Sequence, residues 1–144
     1  MNATNDARGL TPSTAVARLL RPRAVAIVGA SDDPRSIGGN VLANLKRAGF
    51  AGGLHLVSRT RAEIAGHPCV ASIDDLPEGL DAIVLNLPRE AVLEAIAACG
   101  RRRVNAAVVF ASGFAEAGPE GRALQERRAA QARERAWGMG CGVW

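Results

Sequence analysis

Aromatic side chains are nearly missing from this chain. They make up 3% of its 144 residues, and tyrosine is absent. A core of bulky rings is therefore excluded. The interior must be built from Ala, Val, Leu and Ile, which the 48% apolar content supplies. The same scarcity argues against a single-strand nucleic-acid binder, which stacks bases on aromatics set among cations. Long apolar runs are also missing, and none approaches the ~20 residues that cross a bilayer. The opening Met1-Asn-Ala-Thr-Asn-Asp6 has neither the basic start nor the apolar stretch of a signal peptide. A cytoplasmic protein with no membrane partner is expected.

Cysteine is sparse. Cys69, Cys99 and Cys141 are scattered and form no Cys-x-x-Cys, which excludes a disulfide framework or a zinc site on spacing. Cys69 and Cys99 sit among apolar residues and read as small core side chains. The two histidines, His55 and His67, have no Ser, Cys or paired acid in local register. No catalytic constellation and no metal site can be read. The net charge of +4 is carried almost wholly by arginine and favours anionic partners. The arginines are dispersed, however, and Arg101-Arg102-Arg103 reads as the solvated cationic end of a helix. No nucleic-acid partner is expected.

What the chain does have is an alternation of apolar strands and amphipathic helices. Residues 1–12 are polar and aperiodic and read as a flexible N-terminus. Ser13 is placed to cap a helix through Leu20, ended by Pro22. Ala24–Gly29 is apolar on both faces, as central parallel strands are. Ile37–Ala48 carries Val41, Leu42 and Leu45 at helical spacing, with Gly49 as its cap. Gly53–Val57 is a second strand, Thr60–Ala65 a helical turn, and Pro68–Ala71 a third strand. A capped single turn follows from Ser72. Asp81–Leu87 and Val104–Ala111 are strong strands on either side of an Arg89–Cys99 helix with Val92, Leu93 and Ile96 on one face. Glu120–Arg135 reads as an amphipathic helix. Strands and helices at crossover spacing predict an α/β fold. The expected form is a Rossmann-like doubly wound parallel sheet with helices on both faces, over residues 13–136. Residues 137–144 form an atypical tail.

Such sheets bind ligands beyond the carboxyl ends of their strands. After the first strand comes Gly29-Ala30-Ser31, then a short polar loop and a helix opening at Ile37-Gly38. A glycine turn before a helix N-terminus is suited to a phosphate, because free amides point at it and no side chain blocks approach. The spacing is not G-x-G-x-x-G. Asp32-Asp33 reads as a shaper of this loop and of the turn at Pro34. After the second strand, where an NAD site has a carboxylate for the ribose diol, the chain has Ser58-Arg59-Thr60-Arg61. Arginine there suits a phosphorylated ribose, either the 2′-phosphate of NADP or the 3′-phosphate of coenzyme A. Two solvated surface arginines remain the plain alternative. Leu87-Pro88 and Ser112-Gly113-Phe114 close the later strands at the same edge.

With these segments in place, Leu20-Arg-Pro-Arg-Ala-Val-Ala-Ile-Val-Gly-Ala-Ser-Asp-Asp-Pro34 resembles the opening of the CoA-binding domain of NDP-forming acyl-CoA synthetases, relatives of the succinyl-CoA synthetase α subunit and of ADP-forming acetate–CoA ligase. The likeness continues through Gly38, Asn44-Leu45, Gly49-Phe50, Gly52-Gly53, Gly66-His-Pro-Cys-Val70, Ile73-Asp-Asp-Leu-Pro77, Asp81-Ala-Ile-Val84 and Ala111-Ser-Gly-Phe114. The resemblance implies a domain that holds coenzyme A but is not catalytic alone. In the family a phosphohistidine domain and an ATP-grasp domain do the chemistry, and these would be its partner domains or subunits. Carried over by position, Gly29, Ala30, Ser31, Ile37 and Gly38 would face the CoA phosphates, and Ser58 and Arg59 the adenosine side. Leu87, Pro88, Ser112, Gly113 and Phe114 would line the pantetheine side. An NADP-binding domain of an oxidoreductase is the alternative. Ser58-Arg59 departs from the family's usual Asn-Pro. After Ala136 the chain departs again, with both tryptophans in its last eight residues. That departure predicts a C-terminally truncated product lacking one strand of the sheet.

Overall fold

The computed structural model describes residues 12–111, Glu126 and the pair Gly142–Val143. The elements are α1 (Pro12–Leu20), β1 (Ala24–Val28), α2 (Ile37–Arg47), β2 (Gly53–Val57), β3 (Glu63–Ile64) and β4 (His67–Val70). A 3₁₀ turn (Ile73–Asp75) precedes β5 (Ala82–Asn86), α3 (Arg89–Arg101), β6 (Ala106–Phe110) and β7 (Gly142–Val143). The sheet order is β3-β4-β2-β1-β5-β6-β7. Every pairing is parallel except β3 with β4. From β1 the chain runs outward through β2 and β4, then returns to lay β5 and β6 on the other side of β1. This is the doubly wound α/β arrangement, and its strand order reverses between β1 and β5.

The period-two alternation of β1 sorts its side chains onto two faces. Ala26 and Val28 join Val57, Ile83, Leu85 and the α3 residues Ala95, Ala98 and Cys99 in one core. Ile27 joins Leu56, Ile64 and Leu42 of α2 in the other. In α3 the fully buried side chains are Val92, Ala95, Ala98 and Cys99, while Leu93 is half-buried. Small residues let this helix lie close on the sheet, so the buried stripe centres on alanine rather than on the larger Leu93.

Four expectations are corrected. Thr60–Ala65 is not a helical turn. Glu63 and Ile64 pair antiparallel with Pro68 and His67, and the two residues between them, Ala65 and Gly66, have φ of 50° and 82°. Two consecutive positive φ values make a tight hairpin whose twist suits the strands, and burying Ile64 against α2 rewards it. Ser13 lies inside α1 rather than capping it, because the helix opens at Pro12, a residue whose missing amide suits a first turn. Arg101 and Arg102 are not simply solvated. Arg101 forks onto Asp74 at 2.9 and 2.8 Å, and Arg102 Nε donates to the Leu76 carbonyl at 2.8 Å. Finally, the strand expected to be missing beyond β6 is present over two residues, because β7 pairs with Ala106 and Ala107. The Glu120–Arg135 helix and Cys141 fall outside the described residues, save that Glu126 is helical.

Candidate functional site

The loops after β1, β2 and β5 leave from the same edge of the sheet, since these strands are parallel neighbours. That brings Gly29-Ala30-Ser31, Ser58-Arg59 and Leu87-Pro88 to one edge, together with Ile37-Gly38 at the start of α2. Ser112, Gly113 and Phe114 lie outside the described residues.

The glycines of the first loop are consumed by internal packing. Gly29 has φ of 76°, and a Cβ built on it would stand 2.3 Å from the Asn86 carbonyl oxygen. A Cβ on Gly38 would stand 2.0 Å from the Gly29 carbonyl oxygen. Asn86 Nδ2 also donates to that same carbonyl at 3.4 Å. So the end of β5, the turn after β1 and the first turn of α2 are in backbone contact where the strand order reverses. Asn86 is a site-building residue that was not counted among the candidate ligand contacts. Its position as the last residue of a strand beside the glycine turn was the available signal.

The start of α2 is set by Ser36, whose Oγ accepts from Gly39 N at 3.0 Å and donates to the Asp33 carbonyl at 2.8 Å. The intrahelical ladder begins with Asn40 N on the Ser36 carbonyl at 2.8 Å. The amides of Ile37 and Gly38 remain as first-turn donors, at the positive end of an 11-residue helix. Ile37 is 49% exposed, an apolar side chain at the mouth of a polar loop. These donors, beside the side-chain-free Gly29 and Gly38, fit a phosphate group.

Two carboxylates stand in the same loop, and each is met by an arginine. Asp33 takes Arg35 Nε at 3.0 Å and the Arg35 amide at 2.9 Å. Asp32 takes both Arg61 Nη1 and Nη2 at 3.0 Å, a bidentate pair between residues 29 positions apart. Hydrogen bonding to Arg61 holds the Asp32 carboxyl below the usual carboxylate range, and hydrogen bonding to Arg35 does the same for Asp33. Thus the loop that offers amides to an anion is not left with free negative charge. The shaping role expected of Asp32-Asp33 holds for Asp33, whose carbonyl also receives Ser36 N at 3.1 Å. Asp32 instead reaches across to the β2 side. There Ser58 Oγ accepts the Arg61 amide at 3.2 Å and turns the chain toward Asp32. Arg59 is exposed.

A model of the CoA binding domain matches residues 23–141, which takes in the whole sheet edge just described. The chain belongs to this CoA-binding domain family. The resemblance read from its motifs is borne out, and the NADP alternative is not favoured. The domain is 39% identical over 117 residues to a trans-feruloyl-CoA synthase of an unknown prokaryotic organism. It is 38% identical over 118 residues to an ADP-forming acetate–CoA ligase I of Archaeoglobus fulgidus. These alignments take in 81% and 82% of the chain but only 16% and 17% of the relatives, so it spans about one sixth of their length. Among solved structures, the apo form of a dinucleotide-forming acetyl-coenzyme A synthetase 1 of Ca. Korarchaeum cryptofilum superposes with a TM-score of 0.77 at 37% identity. It covers 89% of this chain and 27% of that one. Among the described residues, no helix of the CoA-binding domain is long and apolar enough to cross a membrane.

Proposed function

We propose that this chain is the coenzyme A-holding part of an NDP-forming acyl-CoA synthetase, acting in the cytoplasm. Bound there, CoA would present its thiol for thioester formation. The observation that carries this reading is the coincidence of the family match over residues 23–141 with one sheet edge that offers free first-turn amides and paired arginines. Gly29, Ala30, Ser31, Ile37 and Gly38 receive the pyrophosphate, whose charge suits the start of α2. Ser58 and Arg59 flank the adenosine ribose. Leu87 and Pro88, with Ser112, Gly113 and Phe114, border the pantetheine arm. Residues 13–136 form the binding domain, and the chain is not catalytic alone. A phosphohistidine domain and an ATP-grasp domain complete the ligase as partner domains or subunits.

Calorimetric titration with CoA, dephospho-CoA and NADPH tests the reading. Saturable binding of CoA with no response to NADPH is expected. Binding of NADPH without CoA would overturn it. Thioester formed from CoA, ATP and a carboxylic acid by this chain alone would overturn the assignment as a holding domain.

A further inference from the structure

Asp32 is out of place in an anion-binding loop. A carboxylate a few residues from the phosphate-facing amides repels the ligand unless something neutralises it. Arg61 does so through both guanidinium arms at 3.0 Å. Asp32 therefore serves something other than loop shape, which Asp33 and Ser36 already provide. The pair is exposed, with 47% of the Arg61 side chain and 55% of the Asp32 side chain open to solvent. An exposed ion pair is weak and readily exchanged. A phosphate offers the same planar fork a doubly charged partner. Arg61 is also held from behind, since its amide is fixed on Ser58 Oγ. Its guanidinium thus stands beside the ribose end of the site before any ligand arrives.

We propose that Arg61 reads the 3′-phosphate of coenzyme A and that Asp32 is its resident counter-charge, so that binding exchanges a carboxylate for a phosphate on one guanidinium. The inference rests on the CoA reading above. Asp32 then tempers the affinity for CoA. It stores Arg61 in a neutral pair that the 3′-phosphate must open, while a ligand without that phosphate leaves the pair closed.

The test is calorimetry of CoA and dephospho-CoA on the whole chain, with thermal melts to show that each variant is folded. Arg61→Ala is expected to lower the preference for CoA over dephospho-CoA by about ten-fold or more. Asp32→Asn is expected to tighten CoA by about two- to five-fold while leaving dephospho-CoA nearly unchanged, and the gain should shrink as salt rises. Equal weakening of both ligands by Asp32→Asn would make the pair a structural strap and overturn the exchange. A larger loss of preference with Arg59→Ala than with Arg61→Ala would return the phosphate to Arg59 and overturn it too. If the unaltered chain binds both ligands equally, the exchange falls and the CoA reading stands. If it binds neither, both fall.

Discussion

Three bidentate arginine–carboxylate pairs stand among the described residues, and the two that join distant segments have different surroundings. Asp32–Arg61 joins two loops at the ligand edge of the sheet. Asp74–Arg101 joins the 3₁₀ turn to the far end of α3. The second pair has company. Arg101 Nη2 also reaches Glu94 at 3.1 Å, and the neighbouring Arg102 lies on the Leu76 carbonyl and near Glu78 at 3.5 Å. The turn itself is closed by a capping box, with Ser72 N on Asp75 Oδ2 at 3.1 Å. Ile73 and Leu76 are buried in the larger core directly beneath. The first pair has no third charged partner among the described contacts and stands over a backbone whose packing does not involve it. Similar chemistry is thus part of the scaffold in one place and stands alone in the other. What separates them is the number of neighbours that lose a partner when the pair opens.

The comparison requires the ligand edge to be rigid in its backbone and loose only in its side chains. Gly38→Val tests that most severely. The new Cβ would stand 2.0 Å from the Gly29 carbonyl oxygen, and Gly29 itself has no room beside Asn86. Neither neighbour is a flexible side-chain tip, so the strain cannot relax locally. A loss of about 3 kcal/mol or more is expected, read as a large fall in melting temperature. A variant melting within a degree or two of the parent would show that the edge gives way. The ligand-side pair would then owe its looseness to the backbone.

The next effect separates the pairs by their consequences for stability. Arg102→Ala strips a charged donor from the carbonyl of Leu76, a residue only 1% exposed. It should cost about 1.5–3 kcal/mol. Arg101→Ala, on an exposed guanidinium, should cost less, and Arg61→Ala should leave the melt nearly unchanged. Urea or thermal denaturation of the three variants gives the order directly. Should Arg61→Ala destabilise as much as Arg102→Ala, the two regions would be equivalent, and Asp32–Arg61 would be a structural pair.

Much of this was legible in the sequence, for reasons that differ by element. β1 and β5 are short, almost wholly apolar runs bounded by turn residues, so their type follows from composition, and β2, β4 and β6 lie within a residue or two of where the pattern puts them. The Ser72 turn carries its capping box in four consecutive residues. The β3–β4 hairpin was missed because its turn is Ala65-Gly66. Alanine with a positive φ is rare enough that no residue preference announces it. The ion pairs were missed for a related reason. Nothing local in Ser58-Arg59-Thr60-Arg61 distinguishes the two arginines, since the selection of Arg61 depends on a carboxylate 29 residues away. Likewise the glycines announced a tight turn, while the carbonyl that Gly29 accommodates belongs to Asn86, which only the sheet order brings near.

The smallest expected effect is a response to acid. Arg61 and Arg101 hold the carboxyls of Asp32 and Asp74 below the ordinary carboxylate range, chiefly through side-chain hydrogen bonds. A carboxyl whose pKa is lower folded than unfolded stabilises the fold fully above its unfolded value, about 3.9. That contribution is lost as pH falls through the depressed folded value. Both groups are exposed, so the change in melting temperature from either should be about a degree or two, and smaller in high salt. The comparison predicts that the two sites differ even here. Asp74→Asn removes a carboxylate on which the turn, Arg101 and, through it, Glu94 depend, so it should flatten the acid limb of the melting curve. Asp32→Asn removes a depressed carboxyl that has only Arg61 as its charged partner, so it should flatten that limb less. Melts at pH 7, 4 and 3 for the parent and both variants decide the matter. An acid limb flattened equally by both would mean that the ligand-side pair contributes as much to folding as the scaffold pair, and that its exchange for a phosphate would carry the same cost in stability.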